Sequence, residues 1–161
     1  MQIYLLRHAI AEPSRAGLRD ADRALTPDGS DKLARVLKCA REAGVRPELI
    51  LSSPFRRAME TARAAGEALS YRGKIVEIAA LTPDASPQDT WDELRKRHDQ
   101  SAILLASHEP LMSALASFLL DAPSLQIDMK KATMVRIDCE RVGPTPSGML
   151  KWMLTPALAG A

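Results

Sequence analysis

The chain has 161 residues, with 22 Lys plus Arg against 20 Asp plus Glu for a formal net charge of +2, and is 46% hydrophobic and 26% charged. These values suit one domain, residues 1–161, built around a core of ordinary size. So even a charge balance offers no concentrated basic field, and neither nucleic acid nor a membrane surface is expected as a partner.

The first apolar run, Ile3 to Leu6, reads as a buried strand and stops abruptly at Arg7-His8. Thr26-Pro27 then opens a helix, with Thr26 as N-cap and Pro27 at the first helical position. Leu33, Val36, Leu37 and Ala40 form its apolar stripe, and Gly44 ends it. Leu49 to Leu51 is a second strand, leading through Ser52-Ser53 into an alanine-rich helix expected from Pro54 to Leu69. Ile75 to Ile78 is expected as a third buried strand, and a helix capped by Ser86 follows to His98. A fourth strand, Ala102 to Ala106, ends in Ser107-His108, and a helix should run from Pro110 to Leu120. Two further strands, Ala132–Ile137 and Met149–Met153, flank a Gly/Pro-rich turn at 143–148 and suggest an antiparallel hairpin at a sheet edge.

Strand alternating with helix is the pattern of an α/β fold, here a three-layer α/β/α sandwich with a mostly parallel central sheet and helices on both faces. Cys39 and Cys139 lie far apart with no ligand-type spacing, so two indifferent thiols are expected rather than a disulfide. The N-terminus lacks a signal-peptide pattern, and no segment is apolar over a bilayer-spanning length. A cytoplasmic setting is the expectation.

Open α/β sheets bind ligands at the carboxyl ends of their parallel strands. Three strands here end in cationic, polar or titratable residues: Arg7-His8, Ser52-Ser53 followed by Arg56-Arg57, and Ser107-His108. If those strands are parallel neighbours, two histidines and two or more arginines meet on one edge. Such a set suits a phosphoryl group, because guanidinium forks match phosphate oxygens and keep their charge. Neighbouring cations would also hold an imidazole neutral and nucleophilic.

Each residue taken alone has a plainer reading. A strand-end histidine is more often a hydrogen-bonded structural residue than a catalyst, and Arg56-Arg57 could be a solvated helix start. His98, beside Lys96 and Arg97, is expected only to complement a helix dipole. No HxxxH or HxH pair exists, so neither metal nor any other cofactor is expected.

In combination these segments resemble the histidine phosphatase (phosphoglycerate mutase-like) superfamily. LLRHAIAE is similar to its RHG motif, LSSPFRRAMETA to its S-S-P-x-x-R-A-x-Q-T-A segment, and SHEP to its second-histidine motif. ADRALTPDGSDKL resembles the D-x-x-R-x-L-T-x-x-G segment, while ALTPDASP and KWMLTP resemble features of the short SixA-type phosphohistidine phosphatases. The resemblance implies that His8 accepts the phosphoryl group and that Arg7, Arg57 and His108 hold it, with Ser53 a further phosphate-binding candidate. It leaves Arg56 as the variable position, and Asp22 and Arg23 as secondary or structural residues.

Ala9 replaces the motif glycine, Glu60 the usual glutamine and Glu109 the usual glycine. Larger members carry a carboxylic acid after the third strand that protonates the leaving group. Asp84 is the candidate for that role, with Glu12 and Glu109 weaker ones, and it could equally be a turn residue. Phosphohistidine releases imidazole, which needs an acid less than an alkoxide does. The expected substrate is therefore phosphohistidine on a protein, for instance a histidine phosphotransfer domain. The alternatives are a small phosphorylated molecule cleaved by the same residues, or phosphate binding without turnover.

Overall fold

The computed structural model describes residues 1–160. Six strands form one mixed sheet: β1 (Gln2–Arg7), β2 (Leu49–Ser52), β3 (Val76–Glu77), β4 (Ala102–Ser107), β5 (Met134–Cys139) and β6 (Gly148–Leu154). Their order across the sheet is β3-β2-β4-β1-β5-β6. The β1, β2, β3 and β4 neighbours pair in parallel, whereas β5 runs antiparallel to both β1 and β6. The helices are α1 (Pro27–Glu42), α2 (Arg56–Ala68), α3 (Pro87–Arg95), α4 (Leu111–Leu119) and the four-residue α5 (Pro156–Ala159).

Two-residue side-chain alternation divides the apolar residues between two cores. Ile3 and Leu5 of β1 pack with Ile103 and Leu105 of β4 under α3 and α4, around the fully buried Trp91, Leu94, Leu111 and Leu115. Tyr4, Leu6, Ile50 and Leu104 face the other way, against Leu33, Val36 and Leu37 of α1 and Ala62 and Ala65 of α2. Both faces of β1 and β4 are covered, which is why these strands read as unbroken apolar runs. Fully burying one Leu or Ile is worth roughly 1.5–3 kcal/mol, so these rows dominate the stabilisation.

The helix starts follow their caps. Thr26 Oγ1 accepts from the Gly29 N–H at 3.1 Å and Ser86 Oγ from the Asp89 N–H at 3.1 Å. Gly44, at φ +80°, ends the turn after α1 in a conformation that favours glycine. Gly29 answers to a close approach instead: a Cβ there would stand 2.3 Å from the Ile10 carbonyl oxygen. The first turn of α1 therefore lies directly on the backbone that follows His8.

Several expectations need correction. The third strand is not buried: it is reduced to Val76–Glu77, both exposed, because it has β2 on one side and solvent on the other. The helix after Ser86 stops at Arg95, three residues short of His98. Helix α2 begins at Arg56, with Phe55 at the cap position, so Pro54 belongs to the loop. Ala132 and Thr133 precede β5; Ala132 sits at φ +63° and cannot continue a strand there. Strand β6 starts at Gly148, inside the expected turn. Cys39 and Cys139 are both free.

Candidate active site

The three sequence-predicted strand ends lie side by side. Arg7 pairs in register with Ser107 across β1 and β4, and Ser52 with Ala106 across β2 and β4. The His8 N–H donates to the Ser107 carbonyl at 2.8 Å, and the Ser53 N–H to the Ala106 carbonyl at 3.0 Å. Each chain is thus held in extended register one residue past its strand, which brings the His8 and His108 rings to a centroid separation of 4.9 Å.

His8 is buried, with 6% of its surface exposed. Its Nδ1 lies 2.7 Å from the Ala9 carbonyl oxygen, and Arg57 Nε lies 3.3 Å from its Nε2. Both contacts are met by the neutral tautomer with the proton on Nδ1, in which Nε2 accepts from Arg57 with its lone pair. Burial foremost, and then Arg57, Arg7 and Lys131, lower the His8 pKa to about 4, against the backbone hydrogen bond that raises it. The neighbouring cations expected from the sequence contribute, but desolvation is the larger cause.

His108 is 2% exposed, and its Nε2 lies 2.8 Å from Ser53 Oγ. Burial, followed by His8 and Arg57, lowers its pKa to about 3. Phe55 closes this side, with its ring edge-on to His108 at 5.1 Å and the Arg57 guanidinium carbon 5.0 Å from its centroid. Ser53 also accepts from the Phe55 N–H at 3.3 Å, so it links the second histidine to the start of α2.

Arg57 is buried and enters the cluster; Arg56 does not, and its Nε pairs with Glu60 at 2.8 Å on the exposed face of α2. The Arg57 guanidinium is held by a residue that sequence reasoning misses. It donates to the Asp20 carbonyl at 2.6 Å and to Asp20 Oδ2 at 2.9 Å. Arg23 Nε holds the other Asp20 oxygen at 2.8 Å. Burial acts to raise the Asp20 pKa, but the hydrogen bonds and charges of Arg57 and Arg23 outweigh it and lower it. Asp22, singled out with Arg23 from the sequence, instead pairs with exposed Arg19 at 2.6 Å. The signal is present in the D-x-x-R spacing, which places the motif aspartate three residues before Arg23, at Asp20.

Arg7 reaches from β1 to the Met129 carbonyl on the segment before β5. Among the described residues, three buried side-chain polar atoms lack a hydrogen-bond partner: Arg7 Nε, His108 Nδ1 and Thr133 Oγ1. Buried polar groups are ordinarily paired. Two of these atoms belong to Arg7, the residue before His8, and to His108, whose ring stands 4.9 Å from the His8 ring; such unused capacity fits a polyanionic ligand.

The other substitutions within the motifs are accommodated locally. Ala9 is fully buried and not at positive φ, so its Cβ packs in the core under α1 and α2; its N–H donates to Thr61 Oγ1 at 3.2 Å. Glu60 accepts from the Leu25 N–H at 2.7 Å and ties that loop to α2. Glu109 accepts from the Ser113 N–H and hydroxyl, and Glu12 from the Ala24 N–H. Asp84 is exposed on the loop before α3 and makes no hydrogen bond or ion pair among the described residues. His98 Nδ1–H lies 3.2 Å from the Arg95 carbonyl at the end of α3, the contact expected of a dipole-complementing residue. Among the described residues no group of three or more His, Cys, Asp or Glu side chains could hold a metal ion, and no helix is long and apolar enough to cross a membrane.

Known proteins resemble the chain in sequence and in overall fold. Residues 3–81 match the model of the histidine phosphatase superfamily (branch 1). The phosphohistidine phosphatase SixA of Escherichia coli is 25% identical over 158 residues, covering 97% of this chain and 94% of that protein. A solved structure of the protein histidine phosphatase SixA complexed with tungstate superposes with a TM-score of 0.86 at 25% identity, over 98% of each chain. A SixA-assigned structure from Agrobacterium tumefaciens gives 0.81 at 25% identity, over 96% and 97% of the two chains. Over nearly its whole length the chain is similar to SixA proteins of the histidine phosphatase superfamily, whose α/β fold it shares, and this similarity supports a phosphatase.

Proposed function

We propose that this protein hydrolyses phosphohistidine on a protein through a covalent intermediate on His8, with Arg7, Arg57, His108 and Ser53 around the transferred group. The observation that carries the reading is the fixed tautomer of His8: Nδ1–H is committed to the Ala9 carbonyl, so the Nε2 lone pair faces Arg57 and is free of a proton near pH 7. In the first step Nε2 bonds to phosphorus, and the bond from phosphorus to the substrate imidazole nitrogen breaks with its electron pair leaving on that nitrogen. In the second, a water oxygen bonds to phosphorus, the His8–phosphorus bond breaks, and inorganic phosphate departs. Arg57 passes from holding the lone pair to holding phosphoryl oxygens, and Arg7 and His108 offer unused hydrogen-bonding atoms beside it.

Leaving-group chemistry points to phosphohistidine within this family. The carboxylate bonded into the cluster, Asp20, is kept ionised by Arg57 and Arg23 and is a poor proton donor. Asp84 is exposed and bonded to nothing among the described residues. A site so equipped handles imidazole, which can take its proton from solvent, better than an alkoxide. The relatives named for phosphohistidine support the same assignment. On this reading residues 1–161 act as one catalytic domain upon a phosphorylated protein, such as a histidine phosphotransfer domain, in the cytoplasm.

The test is rapid quenching during turnover of a phosphohistidine protein. Acid-labile, base-stable phosphate should appear on His8, and His8→Ala should lose both label and turnover. Full activity in that variant would sink the mechanism. Efficient hydrolysis of phosphoserine or a sugar phosphate by the wild type would move the assignment to a small-molecule phosphomonoesterase.

A further inference from the structure

Lys131 stands on the segment between α4 and β5, which crosses the carboxyl edge of the sheet. That segment is pinned to the end of β1. The Ala132 N–H lies 3.1 Å from the Arg7 carbonyl and 3.2 Å from the His8 carbonyl, and the Arg7 N–H donates to the Thr133 carbonyl at 3.1 Å. The Arg7 guanidinium holds the Met129 carbonyl. Ala132 adopts φ +63°, a conformation that a side chain disfavours and that these bonds enforce. The residue before it is thereby set beside the nucleophile's strand end.

Lys131, Lys130, Lys32 and Arg7 line one cleft of about 560 Å³, floored by Ile10 and walled by Pro156 at the start of α5. Two of these cations are already engaged: Lys32 with Asp28 at 2.8 Å and Lys130 with Asp128 at 2.7 Å. Lys131 forms no ion pair or hydrogen bond among the described residues, and partial burial first, then the charges of Arg7, Arg23 and Arg57, lower its pKa. A lysine set among three arginines without a carboxylate of its own works against folding, which is reason to look for an anion that arrives with the substrate. The transferred phosphoryl group lies, on the proposed reading, between Arg7, Arg57 and the two histidines. Arg7 belongs both to that set and to the lining of the cleft.

We infer that Lys131, with Lys130 at the rim, binds an acidic side chain of the phosphoprotein next to its phosphohistidine, and so selects protein substrates with an acidic face. The inference rests on the substrate reading above. A flexible ammonium at an open rim suits this task, because exposed charges act on encounter and on partner choice at modest ionic strength.

The test compares a phosphorylated histidine phosphotransfer domain having acidic residues near its histidine with phosphoimidazole, which has none. Lys131→Gln should lose about fivefold more in kcat/KM on the protein than on phosphoimidazole, chiefly through KM, as expected for one exposed ion pair. The excess should vanish in about 1 M salt, where the Debye length is about 3 Å. Lys131→Arg should restore it, and the thermal midpoint of Lys131→Gln should match or exceed wild type. Equal losses on both substrates would assign Lys131 to the transferred phosphoryl group and overturn the proposal. A glutamate-rich peptide should also competitively inhibit p-nitrophenyl phosphate hydrolysis, and less so in Lys131→Gln. Wild type inhibited by the peptide yet inert towards phosphohistidine would overturn the substrate reading alone. Cleavage of the phosphoprotein with no peptide inhibition and no Lys131→Gln defect would overturn the cleft assignment alone.

Discussion

The two sides of the sheet are built from similar residues and end up with different jobs. On the parallel side, β1, β2 and β4 run the same way, so their carboxyl ends open onto one edge and deliver His8, Ser53 and His108 within reach of one another. On the antiparallel side, β5 and β6 end at opposite edges, and the exposed side chains of β6, Met149 and Leu150, carry no chemistry. Parallel pairing collects strand ends and antiparallel pairing disperses them. The antiparallel side still contributes one element to the site. The segment entering β5 is bonded to Arg7 and His8 and carries Lys131.

The largest effect that would sharpen this contrast is on the parallel side. Arg57→Ala should lower kcat/KM by about a hundredfold or more, the usual loss when one fixed charge on the transition state is removed. Arg56→Ala, one residue away on the exposed face and paired with Glu60, should stay within about twofold. Similar losses at both positions, measured on one substrate, would erase the distinction between buried and exposed guanidiniums.

Asp20→Asn comes next. It keeps the backbone carbonyl that Arg57 donates to but removes the carboxylate charge from both arginines. A misplaced catalytic arginine costs up to about a hundredfold, so a loss of roughly tenfold, mainly in kcat, is the expected steady-state result. An unchanged kcat would mean that Asp20 merely decorates the loop.

The buried histidines also tie the parallel edge to pH. Their folded pKa values, about 4 for His8 and about 3 for His108, lie below the ordinary 6.5. Between about pH 4 and 6.5 the unfolded chain binds more protons than the native one, so stability rises with pH there and is lost as pH falls. Denaturant midpoints at about pH 7.5, 5.5 and 4.5 should decline in that order, and His108→Asn should flatten the decline. An equal slope in the variant would remove His108 as a cause.

The smallest expected effect concerns the carboxyl that the sequence offers as an acid. Asp84→Asn should change turnover of phosphohistidine, aryl phosphate and phosphoserine by less than about threefold. Loss of a working general acid would cost about a hundredfold or more on phosphoserine, and a substrate panel separates the two.

Much of this architecture is legible in the amino-acid sequence. Apolar runs as continuous as Ile103-Leu104-Leu105 mark strands covered on both faces, and Thr26-Pro27 and Ser86-Pro87 mark helix starts, because these patterns express local sterics and burial. Cationic or titratable residues directly after such runs also point to one edge. The third strand is not legible in this way, because apolar residues cannot tell an edge from a centre: Ile75 and Ile78 each pack at a rim of one core. Asp20 is legible only through the D-x-x-R spacing, which separates it from Asp22 in the same short turn; that its carboxylate holds Arg57 is not.

What the sequence determined by itself was therefore the set of elements and the residue types at their ends, which depend on neighbours a few positions away. What only the tertiary structure decided was which of those ends meet, and in what state. His8 donates from Nδ1 because the Ala9 carbonyl is beside it, and stays neutral because two packed faces exclude water. Arg57 points inwards because Asp20, 37 positions earlier, holds its fork. Lys131 lies beside the end of β1 only because its segment is bonded to a strand far upstream, 122 positions separating Arg7 from the Met129 carbonyl it holds. Contacts across such distances arise from chain closure around a shared core, and no local pattern encodes which partner will be waiting there.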